Sequence, residues 1–298
     1  EPFVRAGARP SLKLLHKTLG YGAARLPADV SSNRDLPQWQ ELMHAVETRN
    51  IKGLGKAAEH AAILHFLKQK EVFDEYVAWI DRLGIASNLG VARLYWYHIR
   101  LRQLTVELIG VFDGIFLEIG SGSGLFGIML ADRGLVRHYV MVDLPEMLLN
   151  AMVHVSTYLP DSKIRLGETP DFSSNEQTFW FLETGEIRKV PAGSVGVALN
   201  FNSFMEMDEA VRNFYIDEIY RSAAPDALFY NVNRRQRSMT RKDGRPFDNN
   251  PLLYPYRPTD RIIEWETDEC QENCRSSLFS SPHPSFCISR IAEVGSTH

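Results

Sequence analysis

The hydrophobic positions change their period partway along the chain. From Gln38 to Leu108 they recur at helical spacing. Trp39, Leu42, Met43 and Val46 fall at i, i+3, i+4 and i+7; Ile63, Phe66 and Leu67 repeat the step, as do Val72, Tyr76, Trp79, Ile80 and Leu83. Leu89 to Leu108 reads as one further long helix. Residues 1–37 are mixed and broken by Pro10, Pro27 and Pro37, with a helix expected over Ser11 to Leu19. Beyond residue 108 the pattern becomes short apolar runs separated by helical stretches. Ile115–Ile119 and Val195–Leu199 read as buried parallel strands, and Tyr139–Val142, Ile164–Leu166 and Ala227–Val232 as further strands. Leu125–Asp132, Glu146–Leu159 and Asp208–Ala223 read as helices between them. Residues 172–191 read as irregular and 238–260 as a long loop, with closing strands over Arg261–Thr267 and Ser285–Val294. Alternating strands and helices predict a doubly wound α/β domain over 109–298, preceded by a helical cap over 1–108.

In such a sheet, ligands bind past the carboxyl ends of the strands, near the point where the winding reverses. The polar residues of this chain gather there. The first strand runs into Glu118-Ile-Gly120-Ser121-Gly122-Ser-Gly124, where alternating glycines let the backbone turn sharply and approach a ligand without a Cβ. The following helix would aim free N–H groups over that loop. The second strand ends in Asp143, whose carboxylate suits the hydroxyls of a ribose. Glu168 ends the third strand, Asn200, Ser203 and Glu206 follow the fourth, and Asn233 ends the fifth. Gly122 to Gly127 also satisfies the dinucleotide pattern G-x-G-x-x-G. Glu118, two residues before the loop, argues otherwise: a carboxylate there repels a pyrophosphate and welcomes a cation.

Composition narrows the partners. The 298 residues carry a net charge of -4, with no basic excess to call for nucleic acid, so a polynucleotide substrate is disfavoured. No apolar run approaches the ~20 residues of a membrane span, and no secretory leader is read at the N-terminus. Three cysteines, Cys270, Cys274 and Cys287, are an odd number and point to a reducing, cytoplasmic setting. The Cys270/Cys274 spacing lacks the further ligands of a metal site, so no metal is assigned. Tyr95, Trp96 and Tyr97, beside Arg93, His98, Arg100 and Arg102, read either as core or as a substrate wall or homo-oligomer contact.

The stretch Glu118 to Gly124 resembles the first motif of class I S-adenosylmethionine-dependent methyltransferases. With Asp143-Leu-Pro-Glu146, Asn202-Ser-Phe-Met-Glu-Met207, Tyr215 and Asn231-Val-Asn233, residues 90–298 look like the sugar O-methyltransferase family of bacterial polysaccharide and glycoside pathways. The resemblance implies a Rossmann-like class I methyltransferase fold with a seven-stranded, mostly parallel sheet whose last strand is antiparallel. It implies S-adenosylmethionine as cofactor and a small sugar or other hydroxylated acceptor. Gly120, Ser121, Gly122 and Gly124 would lie under the donor's amino-acid end and Glu118 behind them. Asp143 would hold the ribose, Leu144 the adenine ring and Glu168 its amino group, while Asn200 and Ser203 line the methyl.

For the proton acceptor, Glu206 stands where the acceptor should approach, with His154 and His283 as outside candidates. Asp208 with Glu206 is a thin case for a divalent cation. Arg234, Arg235 and Arg237 are either a solvated run or contacts to an acidic or phosphorylated acceptor. Two other classes stay open: an NAD-dependent oxidoreductase, and a non-catalytic partner subunit with a nucleotide fold.

Overall fold

The computed structural model describes residues 24–48, 57–108, 114–235, 237–240, 246–276 and 287–295. They form two units, a sheet unit of residues 114–268 and 287–295 and a helical unit of residues 24–108 and 269–276. Among the described residues no helix is long and apolar enough to cross a membrane. The expected helix at 11–19 and His283 lie outside the described residues.

The sheet unit is built on ten strands: β1 (Gly114–Ile119), β2 (Val136–Asp143), β3 (Lys163–Leu166), β4 (Thr178–Glu183), β5 (Val195–Phe201), β6 (Ala223–Arg234), β7 (Arg237–Thr240), β8 (Pro246–Asn249), β9 (Arg261–Thr267) and β10 (Cys287–Val294). Eight of them share one sheet in the order β3-β4-β2-β1-β5-β6-β10-β9. All neighbours are parallel except at β10, which runs antiparallel to both β6 and β9. The winding leaves β1 toward β2 on one side and returns to β5 on the other, so the switch point lies between β1 and β5. This is the Rossmann-like α/β fold expected, with seven strands from β4 to β9 and β3 added at the edge.

Two readings of the sequence need correction. Residues 178–183 are not irregular: β4 lies between β2 and β3, with Phe179 to Leu182 buried. The segment 238–260 is not one loop: β7 and β8 pair as an antiparallel hairpin, and Pro251–Leu253 form a single 3-10 turn.

Four helices of the helical unit carry the period read above. They are α1 (Pro37–Thr48), α2 (Ala58–Gln69), α3 (Phe73–Leu83) and α4 (Leu89–Leu108). In the sheet unit, α5 (Leu125–Asp132) follows β1, α6 (Pro145–Tyr158) follows β2 and α7 (Glu209–Ser222) precedes β6. The last helix, α8 (Glu269–Ser276), falls in the helical unit, although the sequence placed it with the sheet. Tyr95, Trp96 and Tyr97 are buried, with Trp96 edge-on to Phe66 at 4.7 Å and Tyr95 edge-on to Tyr76 at 5.2 Å. They are core of the helical unit, and the reading of that cluster as a substrate wall is set aside.

Candidate functional site

The glycine loop bridges β1 and α5. Gly120, Gly122 and Gly124 have φ of 74°, 57° and 70°, all left-handed, a run that side chains resist. Each glycine is needed for a different reason. A Cβ on Gly120 would strike the Ser203 side chain, and one on Gly124 would press on Ala151 and Met141 at 3.0 Å. Gly127, one turn into α5, lies so close to β2 that a Cβ would come 2.8 Å from the Tyr139 ring. Gly122 differs: its nearest neighbour would be Met147 Cε at 3.9 Å, so this side of the loop is open.

Asp143 fixes the loop from the neighbouring strand. One carboxylate oxygen accepts the Gly122 N–H at 2.7 Å and the other accepts the Leu144 N–H at 2.7 Å. Each oxygen keeps a lone pair for a further donor. Burial pushes the Asp143 carboxyl up to about 6, against those two N–H groups, with Glu146 adding to the rise. Leu144 beside it is 47% exposed, an apolar surface next to the acid. Glu118 is buried on the α5 side of β1 and accepts the Tyr139 hydroxyl at 2.8 Å. Burial pushes its carboxyl up to about 8, opposed by the Tyr139 bond and helped by the charge of Asp143. Two desolvated acids therefore flank one open loop. Ser121 Oγ, buried in the same loop, has no hydrogen-bond partner among the described residues, an orphan of the kind a ligand or water satisfies.

His154, on α6, places Nδ1 2.9 Å from the Ser123 carbonyl. A carbonyl only accepts, so Nδ1 carries the proton and the ring holds the loop. That bond gives the ring a structural task. Glu206 is exposed at the end of a 3-10 turn, Phe204–Glu206, just past β5.

Three expected donor contacts are placed elsewhere. Asn200 is fully buried and all its capacity is used. Its Nδ2 donates to the Ile119 carbonyl and to Ser203 Oγ, while its Oδ1 accepts from Phe204 N and Asn233 Nδ2. Nothing is left for a donor molecule. Ser203 sits on Gly120, and its hydroxyl donates to the Ile119 carbonyl at 3.0 Å. Glu168 pairs with Arg165 at 3.8 Å beyond β3, with β4 between it and β2. The acid in register with Asp143 is Glu183.

Sequence reasoning missed Tyr139, Glu183 and Asn202. Strand parity holds a trace of the first: Phe116 pairs with Tyr139, and Glu118 shares the face of Phe116. Among the described residues no group of three or more His, Cys, Asp or Glu could hold a metal ion. Cys270 and Cys287 are both buried.

No family model matches the chain, and no curated protein does. Solved structures do. One is the N-methyltransferase NodS of Bradyrhizobium japonicum WM9 with S-adenosylhomocysteine, at 12% identity, covering 67% of this chain and 86% of that one, TM-score 0.44. Another is the 1,6-didemethyltoxoflavin N1-methyltransferase of Burkholderia thailandensis, at 13% identity, covering 79% and 89%, TM-score 0.46. A third is the magnesium protoporphyrin IX methyltransferase of Synechocystis PCC 6803, at 12% identity, covering 69% and 81%, TM-score 0.43.

Proposed function

We propose that this chain is an S-adenosylmethionine-dependent methyltransferase acting on a hydroxyl of a sugar or another small hydroxylated acceptor. One observation carries the reading: a buried acid, Glu118, and a half-buried one, Asp143, both raised by desolvation, flank a left-handed glycine loop that is open at Gly122. A desolvated carboxyl is costly to ionise unless a cation joins it. An ammonium and sulfonium ligand relieves that cost, whereas a pyrophosphate raises it. Glu118 weighs against a nicotinamide dinucleotide, whose pyrophosphate would lie over that loop. The sugar acceptor rests on the motif resemblance of Asp143 to Glu146 and of Asn202 to Met207.

In this reading Gly120 to Gly124 cradle the donor's amino-acid end, and Ser121 Oγ gains the partner it lacks. The free lone pairs of Asp143 accept the ribose hydroxyls. Leu144 covers the adenine face, and Glu118 supplies negative charge from behind. When bound, the donor contributes a methyl already activated on sulfur. The protein is left with orientation and with removal of one proton. Glu206 is the proposed proton acceptor, an exposed carboxylate just past β5.

Calorimetry tests the donor directly. Binding of S-adenosylmethionine and S-adenosylhomocysteine, with none of NADH, is the expected result; the reverse preference sinks the proposal. Turnover over a panel of glycosides and phenols then decides the acceptor class. Donor binding with no turnover favours a non-catalytic subunit.

A further inference from the structure

Four asparagines stand near the carboxyl ends of β5 and β6, and three of them are spent on the fold. Asn200 is saturated as described. Asn233 donates to Asn200 Oδ1 at 2.7 Å and to Asn231 Oδ1 at 2.6 Å, and accepts from Met205 N at 2.9 Å. Asn231 completes the chain by donating to the Tyr256 hydroxyl at 2.6 Å. Asn202 is the exception. Its Oδ1 takes only a long contact from the Cys287 thiol at 3.5 Å, and among the described residues its Nδ2 has no partner. Its side chain is half-buried at the tip of β5.

The backbone singles out the same residue. Asn202 has φ of 61°, left-handed, in a chain with two other such non-glycine residues among those described. Its N–H is tied to the Val232 carbonyl at 2.7 Å. Its neighbours are pinned too, since Asn200 and Ser203 both bond to Ile119, the residue before Gly120. The tip of β5 is thus stitched to the start of the glycine loop, and Asn202 stands at the switch point between β1 and β5. A glycine would hold this bend more cheaply. An asparagine there, with its amide unspent, is a backbone outlier at a place where ligands bind.

We propose that the Asn202 carboxamide contacts the reacting side of the bound donor and orients the acceptor oxygen against it. The thiol of Cys287 contacts Oδ1, which leaves the Nδ2 hydrogens for a ligand. The proposal rests on the donor reading above.

The test needs no knowledge of the acceptor. Calorimetry compares S-adenosylmethionine, which carries the sulfonium charge, with S-adenosylhomocysteine, which lacks it. The proteins are wild type and Asn202→Asp, at about pH 7.5, where an aspartate is ionised. A carboxylate beside the sulfonium should raise the preference for S-adenosylmethionine about tenfold over wild type. An unchanged preference overturns the proposal, because a purely structural asparagine has no means of sensing the sulfur's charge. A second variant, Asn202→Gly, keeps the left-handed bend. In it the 13C-methyl resonance of bound labelled S-adenosylmethionine should move from its wild-type position. An unmoved resonance overturns the proposal even if Asn202→Asp does not fold. Wild-type protein that binds neither ligand overturns the donor reading itself, and that result appears before any substitution is made.

Discussion

At single residues, the four glycines of the loop region are expected to behave differently when given a methyl group. Gly120→Ala drives its Cβ into Ser203 and occupies a left-handed bend. It should cost about 3 kcal/mol, partly recovered by Ser203→Gly, as read from urea midpoints. Gly122→Ala meets nothing closer than 3.9 Å, so it should cost only about 1 kcal/mol of stability. Its methyl enters the open side, however, and donor affinity should fall about tenfold or more. Equal losses of stability in the two variants would contradict this separation.

Glu118 sets a pH dependence whose direction is fixed by its burial. Its carboxyl sits near 8 when folded against an ordinary value of 4.5. The folded protein therefore holds the proton more tightly than the unfolded chain. That contribution is complete below the unfolded value and is lost as pH rises through about 8. Asp143, held at about 6, adds to the loss at lower pH. Glu118→Gln should flatten the decline in unfolding free energy between those values, measured by urea titration at several pH values. Donor binding has the opposite dependence, because a cation favours the ionised acids. Affinity for S-adenosylmethionine should rise with pH across the same window, with proton release visible as buffer-dependent binding heat.

Among the elements, the carboxyl ends of β5 and β6 are joined by side-chain amides as well as by the ladder. Asn200→Ala would strip partners from Phe204 N and Asn233 Nδ2 in one step. About 3 kcal/mol of destabilisation is expected in urea unfolding. A second fastening lies further along the sheet. Buried Arg290 on β10 donates to Asp260 at 2.5 Å, and Asp260 also accepts the Tyr220 hydroxyl of α7. Arg290 also stacks on Tyr256 at 3.8 Å. Asp260→Ala leaves a buried guanidinium without its counter-ion and should cost about 3–5 kcal/mol. A loss under 1 kcal/mol would mean that water reaches this pair.

The elements also show what a linear pattern can carry. Helix α5 was readable to its end residues because apolar side chains surround it and Gly124 marks its start. Strand β4 was missed although Phe179 to Leu182 is plainly strand-like. No helical stretch separates it from β3, so the βα alternation that guided the reading failed there. Helix α8 was missed because Glu269 to Ser276 is almost wholly polar; what anchors it is tertiary, with Cys270 and Gln271 buried and Gln271 Nε2 donating to the Tyr97 hydroxyl. Glu118 and Asp143 were legible because their spacing from the glycines is local. The spending of Asn200 inside the fold was not, since its partners come from β1 and β6. The left-handed bend at Asn202 has no compositional signature at all.

For the molecule as a whole, a ligand that binds the folded sheet unit stabilises it by mass action. S-adenosylhomocysteine at about 100 times its dissociation constant should add about 2.7 kcal/mol to unfolding, seen as a concentration-dependent rise in melting temperature. The strand order of the sheet bears on how it is assembled. Strand β10, latest of the ten along the chain, is interior: it lies between β6 and β9 and provides the pairing for both. During synthesis, residues 287–294 must therefore leave the ribosome before the strands on either side of them can be joined. Until then the nascent polypeptide presents an open seam along β6.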